Sequence, residues 1–318
     1  MRPGTGGAHH VSRMPMKMHT PLKVAFCCAV VALPASLLWR VAQSHHTLLV
    51  LSHYFGGRAG TCTLAESVEG EALVRLQMEN VEAIRSGSRV IQKADRFSLW
   101  ETPAGKFWVP TGNGGIAYDL AEQKRNIYGT RVRPGDIVLD AGANVGVFTR
   151  KALWAGAAKV VAIEPAPENL ECLRRNFAAE IAAGSVVVYP KGVWDKDDVL
   201  KMQLDPANSA EDSFFRKFAG GQSIEVPLTT IDKMVAELGL PKVDFIKMDI
   251  EGAEQSAVVG AKNTIARFRP RMALCIYHRR GDETTVPKLV HDAVSDYKVS
   301  KTCLCAPDRV QPEVAFFY

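Results

Sequence analysis

From Arg131 onward the chain alternates short apolar runs with amphipathic stretches of helical length. The turn Arg133-Pro134-Gly135-Asp136 precedes the apolar run IVLDAG, which reads as a buried strand. A helix over 145–155 follows, then a strand over 159–165 and a helix from Pro167 to about Glu180. Strand 186–194 opens a hairpin-like excursion, followed by a short helix over 231–239, strand 243–250, helix 253–267 and strand 271–278. A helix over 284–296 precedes two last strands. Short strands separated by helices of roughly 10–15 residues imply βαβ units and a mostly parallel sheet, covered by helices on both faces. Sheets of this α/β class take ligands at the carboxyl ends of their strands, where the strand order switches.

Upstream the pattern differs. Over 61–94 the positions Leu73, Leu76, Val81 and Ile84 suit one face of a helix. Phe97, Leu99, Phe107 and Val109 alternate about a turn at Thr102-Pro103-Ala104-Gly105, which reads as a hairpin. A second helix follows within GNGGIAYDLAEQKRNIYG. Residues 61–130 therefore form a small cap on a main domain over 131–318. A basic tail over 1–22 leads into a hydrophobic segment over 23–42, which contains sixteen consecutive uncharged residues from Val24 to Trp39. A spanning helix needs ~20 apolar residues, so this segment is short for an anchor. A signal peptide and a later start at Met14, Met16 or Met18 are its rivals.

Charge narrows the partners. The net charge is +5, but six of the 39 Lys and Arg lie in residues 1–60 with none of the 34 Asp and Glu, so positions 61–318 balance to within one charge. A nucleic-acid binder carries its basic face on the folded part. None shows, and no nucleic-acid partner is expected. The seven cysteines read as reduced thiols used as small hydrophobes. Cys303-x-Cys305 lacks the spacer and second pair of a zinc site.

The sharpest chemical signal is Asp140-Ala-Gly-Ala-Asn-Val-Gly146, between the first strand and its helix. Gly142 permits a tight bend and close ligand approach, and Gly146 lets the helix start near the sheet. The spacing is G-x-x-x-G, whereas a dinucleotide-binding loop needs G-x-G-x-x-G for its pyrophosphate. A carboxylate at Asp140 repels a pyrophosphate and suits an ammonium, such as that of the methionine end of S-adenosyl-L-methionine. Glu164 ends the next strand, placed to accept hydrogen bonds from ribose hydroxyls. Asp249 ends the fourth strand with Glu251 just beyond, and His278 ends the fifth. Histidine can serve as a base at neutral pH, oriented by Asp249, or Asp249 can take the proton itself. Asp249 and Glu251 offer oxygens to a metal, but no further acidic pair stands at a strand tip, and no metal is expected.

In order and spacing, PGDIVLDAGANVG, AIEPAPENLECLRRN, YPKGVWDKD, IKMDIEGAE and ALCIYH resemble the FkbM-type methyltransferases over roughly 120–280. The resemblance implies a Rossmann-like class I methyltransferase fold, S-adenosyl-L-methionine as cofactor and methylation of a sugar, glycan or small metabolite, usually on oxygen. It places Asp140, Gly142, Asn144 and Gly146 around the methionine end and Glu164 on the ribose. Gly192, Val193 and Trp194 would lie near the adenine, and an indole there serves equally as core. A nicotinamide oxidoreductase, or a membrane-tethered nucleotide-binding module without catalysis, would share the sheet. Membrane association through 23–42 raises a conflict. Positive-inside counting puts the folded part outside, whereas the cofactor pool is cytosolic. The expectation drawn is a catalytic domain facing the cytoplasm. Oligomeric state has no sequence signal here.

Overall fold

The computed structural model describes residues 45–111, 115–129, 131–205, 208–305 and 308–318. The basic tail and the apolar run over 23–42 lie outside them, and with them the anchor expected there. Among the described residues no helix is long and apolar enough to cross a membrane. By its contacts the chain divides into Met1–Leu48 and Leu49–Tyr318, and the second unit carries the fold described here.

The cap begins with α1 (Leu64–Ser86), which starts where Thr63 and Glu66 close a capping box. The Thr63 hydroxyl accepts from the Glu66 N–H at 3.2 Å and the Glu66 carboxylate accepts from the Thr63 N–H at 2.7 Å, so two otherwise orphaned donors are satisfied. Strands β1 (Arg89–Ala94), β2 (Phe97–Thr102) and β3 (Gly105–Pro110) then form an antiparallel meander. The hairpin over 97–109 is β2–β3. Strand β1 is additional, and its largely exposed side chains lack the alternation that marks a half-buried strand. Helix α2 (Ile116–Lys124) completes the cap. Just beyond α2, Arg125 forms a buried bidentate pair with Glu313, which ties the cap to the last strand of the main sheet.

The main domain holds seven strands in the order β12-β13-β11-β10-β4-β5-β6. These are β4 (Ile137–Ala141), β5 (Lys159–Ile163), β6 (Val186–Tyr189), β10 (Phe245–Met248), β11 (Arg271–Cys275), β12 (Val299–Cys305) and β13 (Val310–Phe317). The five from β6 to β11 pair in parallel, and β13 runs antiparallel to both its neighbours. Successive residues point to opposite faces of a strand, and both faces are apolar here. Leu139, Ile163, Met248 and Leu274 join one core, while Val138, Val160, Phe245 and Ala273 join the other. The intervening helices α3 (Val147–Trp154), α4 (Pro167–Asn176), α5 (Ala178–Ala182), α6 (Ile231–Glu237), α7 (Glu254–Val259), α8 (Lys262–Phe268) and α9 (Asp282–Ala293) complete the α/β pattern. Order reverses between β4 and β10, which defines the switch point and the place for a ligand.

Three expectations need correction. The strand over 186–194 breaks at Pro190, which has no N–H for the ladder. Its second part, β7 (Gly192–Val193), joins β8 (Asp198–Gln203) and β9 (Ser223–Thr229) in a separate small sheet, so the excursion is more than a hairpin. The helix over 253–267 is two helices, parted at Gly260-Ala261. Not all cysteines are reduced: Cys62, just before α1, is disulfide-bonded to Cys303 on β12, while Cys172 and Cys275 are buried free thiols.

Candidate active site

The tips of β4, β5 and β10 surround two adjoining cavities, of about 240 and about 60 Å³. Gly142, Asn144, Ala210, Asp249 and Glu251 line both, so the two form one bent trough over the glycine loop. Gly142 has φ +76°, and a Cβ there would run into the Asp249 carbonyl, so only glycine lets the loops after β4 and β10 approach this closely. Asn144 (φ +50°) and Glu251 (φ +52°) also adopt the left-handed region on the trough walls. Such backbone costs of order 1–3 kcal/mol per residue and concentrates at ligand sites.

The smaller cavity is lined by Glu164, Gly192 and Val193, as the sequence pattern expects for a nucleoside. Glu164 accepts from the Asn144 N–H at 2.9 Å and the Ala166 N–H at 2.8 Å, so it braces the glycine loop from the next strand. Burial pushes its carboxyl up, against those hydrogen bonds. Trp194 lines neither cavity: its indole stacks on Phe215 with centroids 6.0 Å apart. Gly146 also stands back from the trough, because a Cβ there would strike Phe177 of the helical layer. Its role is packing.

Asp140 departs from its expected role. It is fully buried and lines neither cavity. Its carboxylate accepts from the Thr149 hydroxyl at 2.7 Å and lies 3.2 Å from the Lys247 ammonium. Lys247 also donates to the carbonyls of Ala141 (3.2 Å) and Gly142 (2.6 Å). The pair thus stiffens the loop from beneath, and a ligand ammonium has no access to Asp140.

His278 needs a similar correction. Its Nδ1 lies 2.8 Å from Glu254 Oε1, and its Nε2 lies 3.3 Å from Glu251 Oε1 and 3.4 Å from Asp249 Oδ1. Burial alone would lower its pKa, but the three carboxylates outweigh that and hold it well above the usual histidine value. An imidazolium accepts no proton, and His278 lines neither cavity. Asp249 does line both. Burial opposes its charge, yet His278, Lys247 and the Tyr128 hydroxyl bonded to its Oδ2 hold its pKa below the ordinary carboxylate value. Asp249, Glu254 and His278 place ligand-type atoms within 4.8 Å of one another, the spacing of a metal site. Here the imidazole joins them as an ion network.

The larger cavity also contains residues that sequence reasoning passed over. Helix α2 contributes Tyr118, Asp119 and Glu122, and Tyr128, Tyr277, Glu211 and Arg216 complete much of the wall. Burial and Asp249 raise the Asp119 carboxyl to about 7, and burial with Asp119 and Asp249 raises Glu122 to about 8. The three-residue spacing of Asp119 and Glu122 on a helix, which puts both on one face, was the available signal.

A doubly wound sheet with a glycine-bent loop and an acidic second-strand tip defines a nucleoside-binding α/β domain. Residues 140–295, a little under half of the chain, match the methyltransferase FkbM domain model. S-adenosyl-L-methionine is the cofactor of that class. The chain is similar to the 31-O-demethyl-FK506 methyltransferase FkbM of Streptomyces tacrolimicus, 27% identical over 43% of this chain and 63% of the relative. It is similar to the 2-O-methyltransferase NoeI of Sinorhizobium fredii, 28% identical over 46% of this chain and 65% of the relative. The chain thus spans a little under two thirds of the length of these curated relatives. A solved methyltransferase FkbM from Methylobacillus flagellatus aligns at a TM-score of 0.44 and 18% identity, covering 79% of this chain and 60% of that one.

Proposed function

We propose that this chain transfers a methyl group from S-adenosyl-L-methionine to an oxygen of a sugar, glycan or small metabolite. The carrying observation is the bent trough, with Gly142 at its floor and the ionised Asp249 facing both arms. The cofactor fits what the residues offer. The narrower arm has a carboxylate and a small-residue strand tip for a nucleoside, and Asn144 Oδ1 is buried without a hydrogen-bond partner. Glu164, Gly192 and Val193 would hold the nucleoside, and Gly142 and Asn144 the chain beyond it.

The cofactor supplies an electrophilic methyl group on a sulfonium. The protein's part is to orient an acceptor hydroxyl and take its proton. Asp249 is the group for both: its carboxylate accepts a hydrogen bond from the hydroxyl and then the proton, while Tyr128 and the His278 imidazolium fix its direction. His278 is a positioning residue in this scheme. Asn208, Glu211 and Arg216, also on the wall of the larger arm, suit a polar, hydroxyl-rich acceptor. The activities named for relatives point the same way, among them the hexuronic acid methyltransferase AglP of Haloferax volcanii, 24% identical over 52% of this chain and 66% of that one.

The Cys62–Cys303 bridge favours an oxidising compartment for the folded part. That is the side given by positive-inside counting, and it disfavours the cytoplasmic face expected from cofactor supply.

The test is incubation of the purified protein with methyl-labelled cofactor and candidate glycans or metabolite extract. The reading expects label in a product one methylene heavier than its acceptor, and loss of at least ~100-fold in turnover for Asp249→Asn. Undiminished turnover in that variant would remove Asp249 from the chemistry.

A further inference from the structure

We propose that Asp119, on the cap helix α2, receives the primary ammonium group of the bound ligand's amino-acid end, a role the first-strand carboxylate cannot perform. The inference rests on the cofactor reading above. A charged ammonium entering a partly buried site needs a charged or strongly polar acceptor there. Asp140 lies under the loop, already paired with Lys247. Asp119 lies above it, on the wall of the larger arm, with Oδ2 3.4 Å from the Asn144 amide nitrogen. It therefore faces the segment from Gly142 to Asn144 over which the trough bends.

The local charge balance supports this placement. The cations around the cavity already have partners: Lys247 with Asp140, Arg125 with Glu313, and Arg216 with Glu211 and Glu251. Among the described residues neither Asp119 nor Glu122 forms an ion pair. Glu122 accepts a long hydrogen bond from the Gln77 amide at 3.4 Å. Two desolvated carboxylates one helical turn apart thus have no direct counter-charge: burial and neighbouring carboxylates raise both, and Lys247 near Asp119 and Arg125 near Glu122 offset this only in part. A single ammonium at Asp119 would supply that counter-charge. The nucleoside end is accommodated elsewhere, at Glu164 and Gly192, so the amino-acid end of one continuous ligand reaches α2.

The experiment compares two probes on the full protein by calorimetry: S-adenosylhomocysteine, and 5′-methylthioadenosine, which lacks the amino-acid end. A third probe, S-adenosylhomocysteine without its α-amino group, separates the ammonium from the carboxylate. The wild type should prefer S-adenosylhomocysteine to its deaminated form by roughly 10- to 100-fold, the scale of a charged hydrogen bond. Asp119→Asn should remove most of that preference and leave 5′-methylthioadenosine within about 3-fold of wild type. Asp119→Glu, which keeps the charge, should retain part of it and guards against a folding defect in the first variant. Equal weakening of all three probes by Asp119→Asn, or an unchanged preference, overturns the proposal. If the wild type binds no adenosyl probe, the cofactor reading fails. If it binds S-adenosylhomocysteine and the deaminated form alike, only the role of Asp119 fails.

Discussion

Replacing Lys247 by methionine tests how the glycine loop is held. The Lys247 side chain is 5% exposed and Asp140 is fully buried, so the charge left behind has no route to water. Only the Thr149 hydroxyl would remain as a hydrogen-bond donor to that carboxylate, and the carbonyls of Ala141 and Gly142 would lose their shared ammonium. Removing one partner of a buried ion pair costs about 3–5 kcal/mol, mostly the penalty of the uncompensated charge. For a domain of this size that is a fall in Tm on the order of 10 °C. Urea denaturation followed by circular dichroism gives the free energy directly. The double variant Asp140→Asn/Lys247→Met removes the stranded charge and should recover most of the loss. It should also still bind S-adenosylhomocysteine within about 10-fold of wild type, because Asp140 lines neither cavity. A Lys247→Met variant within about 1 kcal/mol of wild type would refute the reasoning. So would a double variant no more stable than the single one.

Two further outcomes follow from the same geometry. Cys62→Ser, or reduction of the native protein, should cost about 2–4 kcal/mol, because the bridge joins residues 241 apart in sequence; an unchanged urea midpoint would count against a formed disulfide. The folded-state pKa of His278 is raised above its ordinary value, so its stabilisation is complete below about pH 6.5 and lost as pH climbs through the folded value. As pH rises above about 6.5 the wild type should therefore lose more stability than His278→Gln, and equal losses would remove the imidazolium from the account. In the same variant the Asp249 carboxyl loses its cation, so the acidic limb of kcat/KM should move to higher pH.

The architecture was readable because every strand of the parallel sheet carries its own apolar run, and the turn and helix signals between them are local. Strand-tip residues came with it. Glu164 and Asp249 sit on the cavity walls simply by ending β5 and β10, as the rule for open α/β sheets requires. What failed was the direction of charge. Asp140 reads as a ligand carboxylate until Lys247, more than a hundred residues later, is placed beside it by the parallel pairing of β4 and β10. His278 reads as a base until Glu251 and Glu254 close around it from the loop and helix after β10. Helix α2 was found, but its approach to the glycine loop depends on how the cap docks, including the Arg125–Glu313 pair, which no local pattern encodes. The same holds for Cys62 and Cys303. Strand β1 escaped for the opposite reason: its side chains are mostly exposed, so its hydrophobic pattern carries no period.

The most direct measurement of the central claim is a calorimetric titration of S-adenosylhomocysteine into the wild type and into Gly142→Val. The wild type should bind one equivalent saturably, and the valine variant should give no binding heat even where circular dichroism shows it folded. Its side chain would occupy the floor of the trough, where the Asp249 carbonyl already lies. A folded wild type with no affinity for the nucleoside, or a valine variant that binds as well, would contradict the assignment of this trough as the cofactor site.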